Sequence, residues 1–592
     1  IARQLVLNSI NKQLESSNQF SLIYNADAHP SGHINFNINF KNFNKNLIEF
    51  IKQDNILFPD IGKNTKITIE HTSVNPNKAL HIGHLRNVII GDSLYRLLKL
   101  TNHDVHVLNY IDDSGVQIAD LIVAFKFAGF NPKYDDKSIK FDQYCGDVYV
   151  KINELYRTDD NLLEKRKLII QEIEKGNTEL AKFTNFIVKK IVEQQLLTAW
   201  RIKARYDLLV GESQILLSNL WKDTFSLLKD KRIIYFSKEG KNSNCWIFKD
   251  STDEEKVIVR SDQTATYIAK DISFALWKLN LVKDAFTYLE FCIQWDGTVL
   301  WKTVLNNQSS QNYDSKLSFN NEKPDVVITI IDLRQARLQK IISEIIERIS
   351  NSGITKKYVY LGYETVTLSH STVRSIGFEL EKINSKVVHM SGRKGIFINA
   401  DTILDQLFKK AFDEIKNRNS DFSNSTIKEI AEGIAVSAIR YNLIKQDLDK
   451  MINFDLKEAL NLDGDTSLYL QYTFARANRI LEKGEDFIPK IRKESVQDIS
   501  LDILNQNAEI DLIKEISKFN MTIEEAVNTL NTKVIAKYAN RLSTKFNFFY
   551  ESLPVLCDNS DLKVSRLLVV KIFVLILTNL FDILGIQKFN RI

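Results

Sequence analysis

Cysteine is scarce in this chain and scattered. Cys145, Cys245, Cys292 and Cys557 are the four in 592 residues, and no two form a Cys-x-x-Cys pair. Such spacing supports neither a disulfide framework nor a zinc ribbon, and a reducing, intracellular setting is the simpler reading. Bulk charge of one sign is missing as well. The net charge is +5, so nucleic-acid binding has to come from local basic patches and shape. No basic-then-apolar leader opens the chain at Ile1, although without a start methionine an earlier segment is left open. The most apolar stretch, Leu567 to Leu580, is interrupted by Lys571 and flanked by Arg566 and Asp582. It reads as too short and too charged to span a membrane, hence as a buried helix. No internal repeat is apparent, and no cluster has metal-ligand spacing.

With 44% apolar and 26% charged residues, the composition is that of an ordinary soluble protein. The length implies about three to five domains. Residues 1–62 read as a small α+β unit: an opening amphipathic helix, then a run at 32–40 whose apolar/polar alternation predicts a half-buried strand. From 63 a nucleotide-binding sheet begins. Ile67 and Ile69 sit in one strand, a helix from His81 carries Leu85, Val88, Ile89, Leu94 and Leu97, and 105–108 is the next strand. This is a βαβ unit, whose ligand crevice lies beyond the carboxyl ends of the strands. Residues 118–210 are charged and helical, an insertion into a sheet domain spanning 63–425, and apolar strands return at 326–331 and 358–361. Continuous 3.6-residue periodicity then predicts an all-helical domain over 426–592.

The most informative stretch runs from Glu70 to Asn87: a strand, a loop and a helix opening with two histidines around one glycine. A helix N-terminus offers partial positive charge and free N–H groups to a nucleotide phosphate. Gly83 removes the Cβ that would keep a flat base or ribose off the backbone. His81 and His84, three apart, can aim ring N–H groups at one phosphate, which suits charge developing during attack on an α-phosphate. His81-Ile82-Gly83-His84 resembles the HIGH signature of class I aminoacyl-tRNA synthetases. The longer run, with Asn75 and Lys78 ahead and Leu85-Arg86-Asn87 behind, resembles arginyl-tRNA synthetases, and Val74 to Lys78 is nearer their archaeal-like branch.

That resemblance implies a set of site residues. An arginine side chain is a planar fork of five donors and no acceptor, so its pocket needs carboxylates and amides. Gly211-Glu212-Ser213-Gln214 matches a family segment holding a substrate-binding glutamate. Arg260 to Asp271 matches a second, in which Tyr267 and Asp271, four apart, share a helical face. Gln335 is carried over as a contact to the amino acid and Asn75 as a holder of its α-amino group. ATP binding falls to His81, Gly83 and His84, with Met390 and Ser391. The last two match the centre of the KMSK pattern, but His389 and Gly392 stand where its lysines belong. Lys78 is the substitute the family implies, with Arg393 or Lys394 as helpers. Asn109 to Gln117 resembles the active-site floor, its acids binding either the amino group or a magnesium-bound phosphate. The run from Asp463 to Thr473 resembles the lead into the family's anticodon-binding domain, where Tyr472 and Arg476 would stack on and pair with a splayed base. In the N-terminal unit, Asn35 and Phe36 would touch the outer corner of the tRNA.

The fold expected is α/β: a Rossmann-type parallel-sheet catalytic domain, a small α+β N-terminal domain and an all-helical C-terminal anticodon-binding domain. The function expected is ATP-dependent activation of L-arginine and its transfer to tRNA(Arg), with Mg2+ accompanying ATP. No dedicated metal ligands and no membrane are expected, and the family implies a monomer in the cytoplasm that activates arginine only with tRNA bound. Two rivals stand beside this reading. One is a class I synthetase for lysine or cysteine; the other is a non-catalytic tRNA-binding paralogue, favoured only by the altered loop around Met390.

Overall fold

In the computed structural model the chain is described over residues 23–31, 33–39, 43, 58–134, 138–305, 324–350, 356–377, 388–389, 398–419, 421–487 and 503–592. It divides into two units, Asp60–Asn461 and, together, Ile1–Pro59 with Leu462–Ile592. The expected opening helix lies outside the described residues. The first elements are β1 (Ile23–Ala28) and β2 (Ile34–Ile38), an antiparallel hairpin. The alternation that predicted β2 does not sort its faces. Asn37 donates across the hairpin to Asp27 at 2.5 Å and is partly buried, while Phe36 is half exposed.

The larger unit begins with the expected βαβ: β3 (Lys66–Glu70), α1 (Ile82–Leu100) and β4 (Asp104–Ile111), the two strands parallel and paired from Lys66–Asp104 to Glu70–Leu108. The insertion follows as α2 (Val116–Phe127), α3 (Phe141–Leu155), α4 (Asp160–Lys175) and α5 (Glu179–Arg201). It ends sooner than expected. β5 (Leu208–Gly211) is a strand of the main sheet, and four apolar residues carry too little period to stand out after a long helix. Next come α6 (Glu212–Leu217), α7 (Leu220–Asp230) and a small antiparallel sheet, β6 (Tyr235–Phe236), β7 (Trp246–Lys249) and β8 (Glu255–Val259). Helix α8 (Tyr267–Lys278), β9 (Phe286–Ile293), β10 (Val299–Leu305), β11 (Val326–Asp332), α9 (Ala336–Ser350) and β12 (Lys357–Tyr363) complete the layers.

The main sheet has seven strands in the order β12-β11-β3-β4-β5-β10-β9, parallel except for β9 against β10. Sequence order runs away from β3 in one direction and returns on its other side at β11. The reversal leaves a crevice at the carboxyl ends of β3 and β11, where ligands bind in sheets of this kind. A second three-stranded sheet joins β13 (Val366–Leu368), β14 (Val388–His389) and β15 (Ile452–Phe454), and α10 (Ala400–Arg418) and α11 (Asn424–Ile444) lie between the last two. Periodicity assigned α11 to the C-terminal domain, yet it falls in the Asp60–Asn461 unit. Its fully buried Arg440 donates to Asp92 (2.6 Å) and Ser93 (3.1 Å) on α1, and to the Ile202 carbonyl (2.8 Å). A helical period says which face is apolar, not which neighbour covers it.

The C-terminal part of the other unit is helical: α12 (Ser467–Lys483), α13 (Asn507–Ile516), α14 (Phe519–Thr529), α15 (Lys533–Ser552) and α16 (Ser560–Leu584). Helix α16 corrects one expectation. Its 25 residues, with a mean hydropathy of 2.4 over the best window, are long and apolar enough to cross a membrane. Burial decides the matter: 67% of that window is inside the protein. Phe573 stacks on Phe546 at 4.0 Å, Phe581 meets Phe474 at 5.4 Å, and buried Arg566 pairs with Glu509 at 2.7 Å. A helix apolar on all sides and surrounded by partners is a core helix.

The buried Asp92–Arg440 contact yields a stability test. Asp92→Asn strands the guanidinium and should lower the unfolding free energy of the Asp60–Asn461 unit by about 3–5 kcal/mol in urea titrations. Adding Arg440→Met should restore much of that loss.

Candidate active site

All five adjacent parallel strands from β12 to β5 end at one cavity of about 500 Å³. Glu70 closes β3, Asp112 follows β4, Glu212 follows β5, Asp332 closes β11 and Tyr363 closes β12. Asn75, His81, Gly83, His84, Glu212, Tyr267, Asp271 and Gln335, picked from separate stretches of sequence, all line it.

His81 is the N-cap of α1. Its Nδ1 accepts from the His84 amide, and His84 Nδ1 accepts from the His81 amide, both at 3.2 Å. This reciprocal capping satisfies two helix donors and stacks the rings, centroids 3.5 Å apart and 15° from parallel. A neutral imidazole whose Nδ1 accepts carries its proton on Nε2, so each ring is a donor and not a cation. Burial first, then the Lys78 charge, lowers His81 to about 3; burial, His81 and Lys78 hold His84 well below its ordinary value. A Cβ on Gly83 would come within 3.0 Å of the His81 ring, so the glycine makes room for the stack.

The backbone entering the site is strained. Thr72 and Ser73 have φ of 76° and 46°, a conformation a β-branched residue adopts only when its surroundings impose it. Asn87 Oδ1 accepts from the Thr72 amide at 2.5 Å, Asn109 Oδ1 from the Ser73 amide at 3.2 Å, and Tyr206 meets the Thr72 hydroxyl at 2.8 Å. Asn87 also donates to the Ile330 carbonyl at 2.9 Å, tying the turn to β11. Gln195 of the insertion donates to the carbonyls of Asn75 (3.2 Å) and Lys78 (2.8 Å), fixing the loop before His81.

The acids fall into two groups. Glu212 accepts from Tyr110 (2.9 Å), Ser114 and the Lys270 ammonium. Glu70 pairs with buried Lys278 and accepts from Thr329 at 3.1 Å, and Asp332 pairs with Arg334 at 2.7 Å. Asp113, within the run resembling an active-site floor, accepts from the amide and hydroxyl of Ser213, each at 2.7 Å, at the start of α6. By contrast, Asp112 Oδ1 and Asp271 Oδ2 are buried without a hydrogen-bond partner. Burial raises both, Asp271 to about 6, and the Lys270 charge opposes it in each. Leaving a buried carboxylate oxygen unpaired is costly, so these two leave the cavity open to a donor or a cation.

Lys78 is not among the residues lining the cavity, though its charge reaches both histidines; its ammonium stands 5.8 Å from the Tyr149 ring. Met390, Ser391, Arg393 and Lys394 lie outside the described residues. On either side of them, Thr367 pairs with His389, and Asn399 bridges to His81 itself. Sequence reasoning passed over Lys270, Lys278, Glu70 and Arg334. Lys278 had a signal: Tyr267, Asp271, Phe274 and Lys278 recur at the spacing of one helical face. In the helical unit, the Arg476 guanidinium lies 5.5 Å from the Tyr472 ring and 5.0 Å from Tyr550, and it donates to Asn547 at 2.7 Å. Both tyrosines are partly exposed, and in the hairpin Asn35 and Phe36 are exposed.

Comparison with known proteins agrees with this geometry. Residues 46–294 match the family described as tRNA synthetases class I (R), catalytic domain, and 470–592 match the DALR anticodon binding domain. The chain is 30% identical over 585 residues to an arginine–tRNA ligase of Thermococcus kodakarensis, covering 95% of this chain and 86% of that one. Against the Deinococcus radiodurans enzyme it is 32% identical over 499 residues, with coverage of 82% and 75%. The solved Thermus thermophilus arginyl-tRNA synthetase superposes with a TM-score of 0.79 at 27% identity, spanning 100% of this chain and 93% of that one. The chain belongs to the arginine–tRNA ligase family of class I aminoacyl-tRNA synthetases.

Proposed function

We propose that the cavity at the strand ends is where L-arginine meets ATP, forming arginyl-adenylate and pyrophosphate before the arginyl group passes to tRNA(Arg). The observation that carries this assignment is the pair of unpartnered buried oxygens, on Asp112 and Asp271, in the cavity that also holds the His81–His84 stack. Asp271, Glu212 and Tyr267 take the guanidinium, Asn75 the α-amino group, and Gln335 contacts the amino acid. The arginine carboxylate attacks the α-phosphate in line, so the protein supplies position and charge rather than a nucleophile. His81 and His84 donate Nε2–H to the phosphate as its charge grows, which a neutral imidazole does without repelling Lys78. Lys78 serves the leaving pyrophosphate, with Met390, Ser391, Arg393 and Lys394 contributing from the loop. Mg2+ enters with the ATP phosphates; among the described residues no group of three His, Cys, Asp or Glu side chains is arranged to hold a metal.

The remaining assignments concern tRNA and setting. Tyr472 and Arg476 offer an aromatic face and a cation to an unstacked anticodon base, and Asn35 and Phe36 meet the tRNA elsewhere. The N-terminal segment, the sheet unit and the C-terminal helices act as tRNA-contact, catalytic and anticodon-binding domains. The protein works as a monomer, as is usual in the family, and in the cytoplasm, a compartment that its four free cysteines fit.

Charging total tRNA with arginine and with lysine tests the whole reading: arginine should be preferred by about 10⁴ or more, because one ammonium leaves buried acceptors unsatisfied. Comparable charging with lysine would overturn it. His84→Ala should slow tRNA-dependent arginine activation by about 10²–10³ with little change in arginine KM, and a loss under about threefold would remove the histidine from the mechanism.

Asp271 sets a pH dependence. Its carboxyl is raised to about 6, so it is ionised above that pH and protonated below, and the guanidinium binds only the ionised form. Arginine KM should be flat from pH 7 to 8 and rise about tenfold per unit below 6. Asp271→Asn should raise KM throughout and flatten that limb.

A further inference from the structure

The Glu212 end of the seat assigned to the substrate guanidinium already faces a cation, although that cation is not itself among the residues lining the cavity. Lys270, on α8 between Ile268-Ala269 and Asp271, places its ammonium on Glu212 and 4.4 Å from the centroid of the Tyr267 ring. Those are the acid and the aromatic face assigned above to arginine, and their combination is a standard cradle for a cation. Both ends of the pair are largely out of solvent, with side-chain exposures of 14% for Lys270 and 5% for Glu212. Glu212 also accepts from Tyr110 and Ser114 in this state, so three donors already converge on its two oxygens. The open acceptors are elsewhere: Asp271 Oδ2, next to Lys270 in the chain, and Asp112 Oδ1, on a carboxylate that the Gly115 backbone and the Asn75 side chain also reach. Lys270 acts electrostatically on both of those acids.

We propose that Lys270 is a resident competitor for the arginine seat, an affinity-setting residue whose ammonium leaves Glu212 for the Asp112 side when the substrate guanidinium enters. This rests on the assignment of Glu212 and Tyr267 to the guanidinium. The physical consequence is a displacement cost common to every ligand that takes the seat. A lysine or ornithine ammonium that displaces Lys270 replaces one point charge with another and gains little. A guanidinium brings five donors in a fixed plane, satisfying Glu212 and the open Asp271 oxygen together. The competitor thus weakens every ligand that takes the seat by one common factor, and only a guanidinium gains enough there to bind well against it.

Two variants and one control test this. Lys270→Met keeps the length of the side chain and removes its charge. It should lower the arginine KM and the inhibition constant of lysine each several-fold, by a similar factor. Lys270→Arg supplies a stronger occupant and should raise the arginine KM, with kcat much less affected. A Lys270→Met enzyme with unchanged or raised arginine KM and unchanged lysine inhibition overturns the proposal, and so does Lys270→Arg with wild-type KM. Glu212→Gln separates the two levels of inference. If it raises arginine KM while Lys270→Met lowers nothing, Glu212 binds substrate and the competitor role is wrong. If Glu212→Gln leaves arginine KM unchanged, the underlying assignment fails, and the competitor proposal falls with it. Circular dichroism and melting temperature of each variant identify any that has merely unfolded, and for such a variant Lys270→Gln replaces Met with the same expected directions.

Discussion

Reading a planar cation requires buried carboxylates, and buried carboxylates are unstable without cations of their own. The catalytic unit is organised around that conflict. Glu70 is held by Lys278, Glu212 by Lys270 and Asp332 by Arg334. Asp112 and Asp271 each keep an oxygen without a partner, and burial pushes both carboxyls up. The sheet supplies acids at the carboxyl ends of its parallel strands, and α8 lays Tyr267, Asp271 and Lys278 across them on one face. What remains after these internal pairings is a deficit of positive charge, in a space about the size of a small ligand.

The side proposed for the nucleotide faces the opposite problem. A phosphate invites cations, yet the two histidines are kept neutral by burial and by Lys78. Their mutual capping makes this useful. Each Nδ1 is spent on the other's backbone amide, which pins the rings, fixes the tautomer and leaves Nε2–H as the donor. The same contacts start α1, so the helix end and the site are one structure. Asn87 and Asn109 hold the strained Thr72–Ser73 turn beside it, and Gln195 reaches from the insertion to the loop before His81. Residues that never touch a substrate thereby decide where those that do are placed.

Much of this was legible in the linear chain. The βαβ at Lys66–Ile111, the helix opening at His81, the shared face of Tyr267 and Asp271 and the helical C-terminal region all follow from local spacing, because helix and strand periods and capping patterns are short-range. So is the choice of acids and amides for a guanidinium, which is a matter of donor and acceptor count. Other features were beyond such reading. Lys270 looks like any helix lysine until Glu212, 58 residues away, is found against it. Helix α11 has an apolar face like its successors, and only Arg440 meeting Asp92 assigns it to the sheet unit. Helix α16 passes a membrane test by length and composition, and only its neighbours make it a core helix. Sequence determined the elements and the chemistry each residue carries, since those depend on the residue and its near neighbours. Tertiary structure alone decided which charges are paired, which are buried unpaired and which helix covers which face, because burial and Coulomb energy depend on distances the chain closes only on folding.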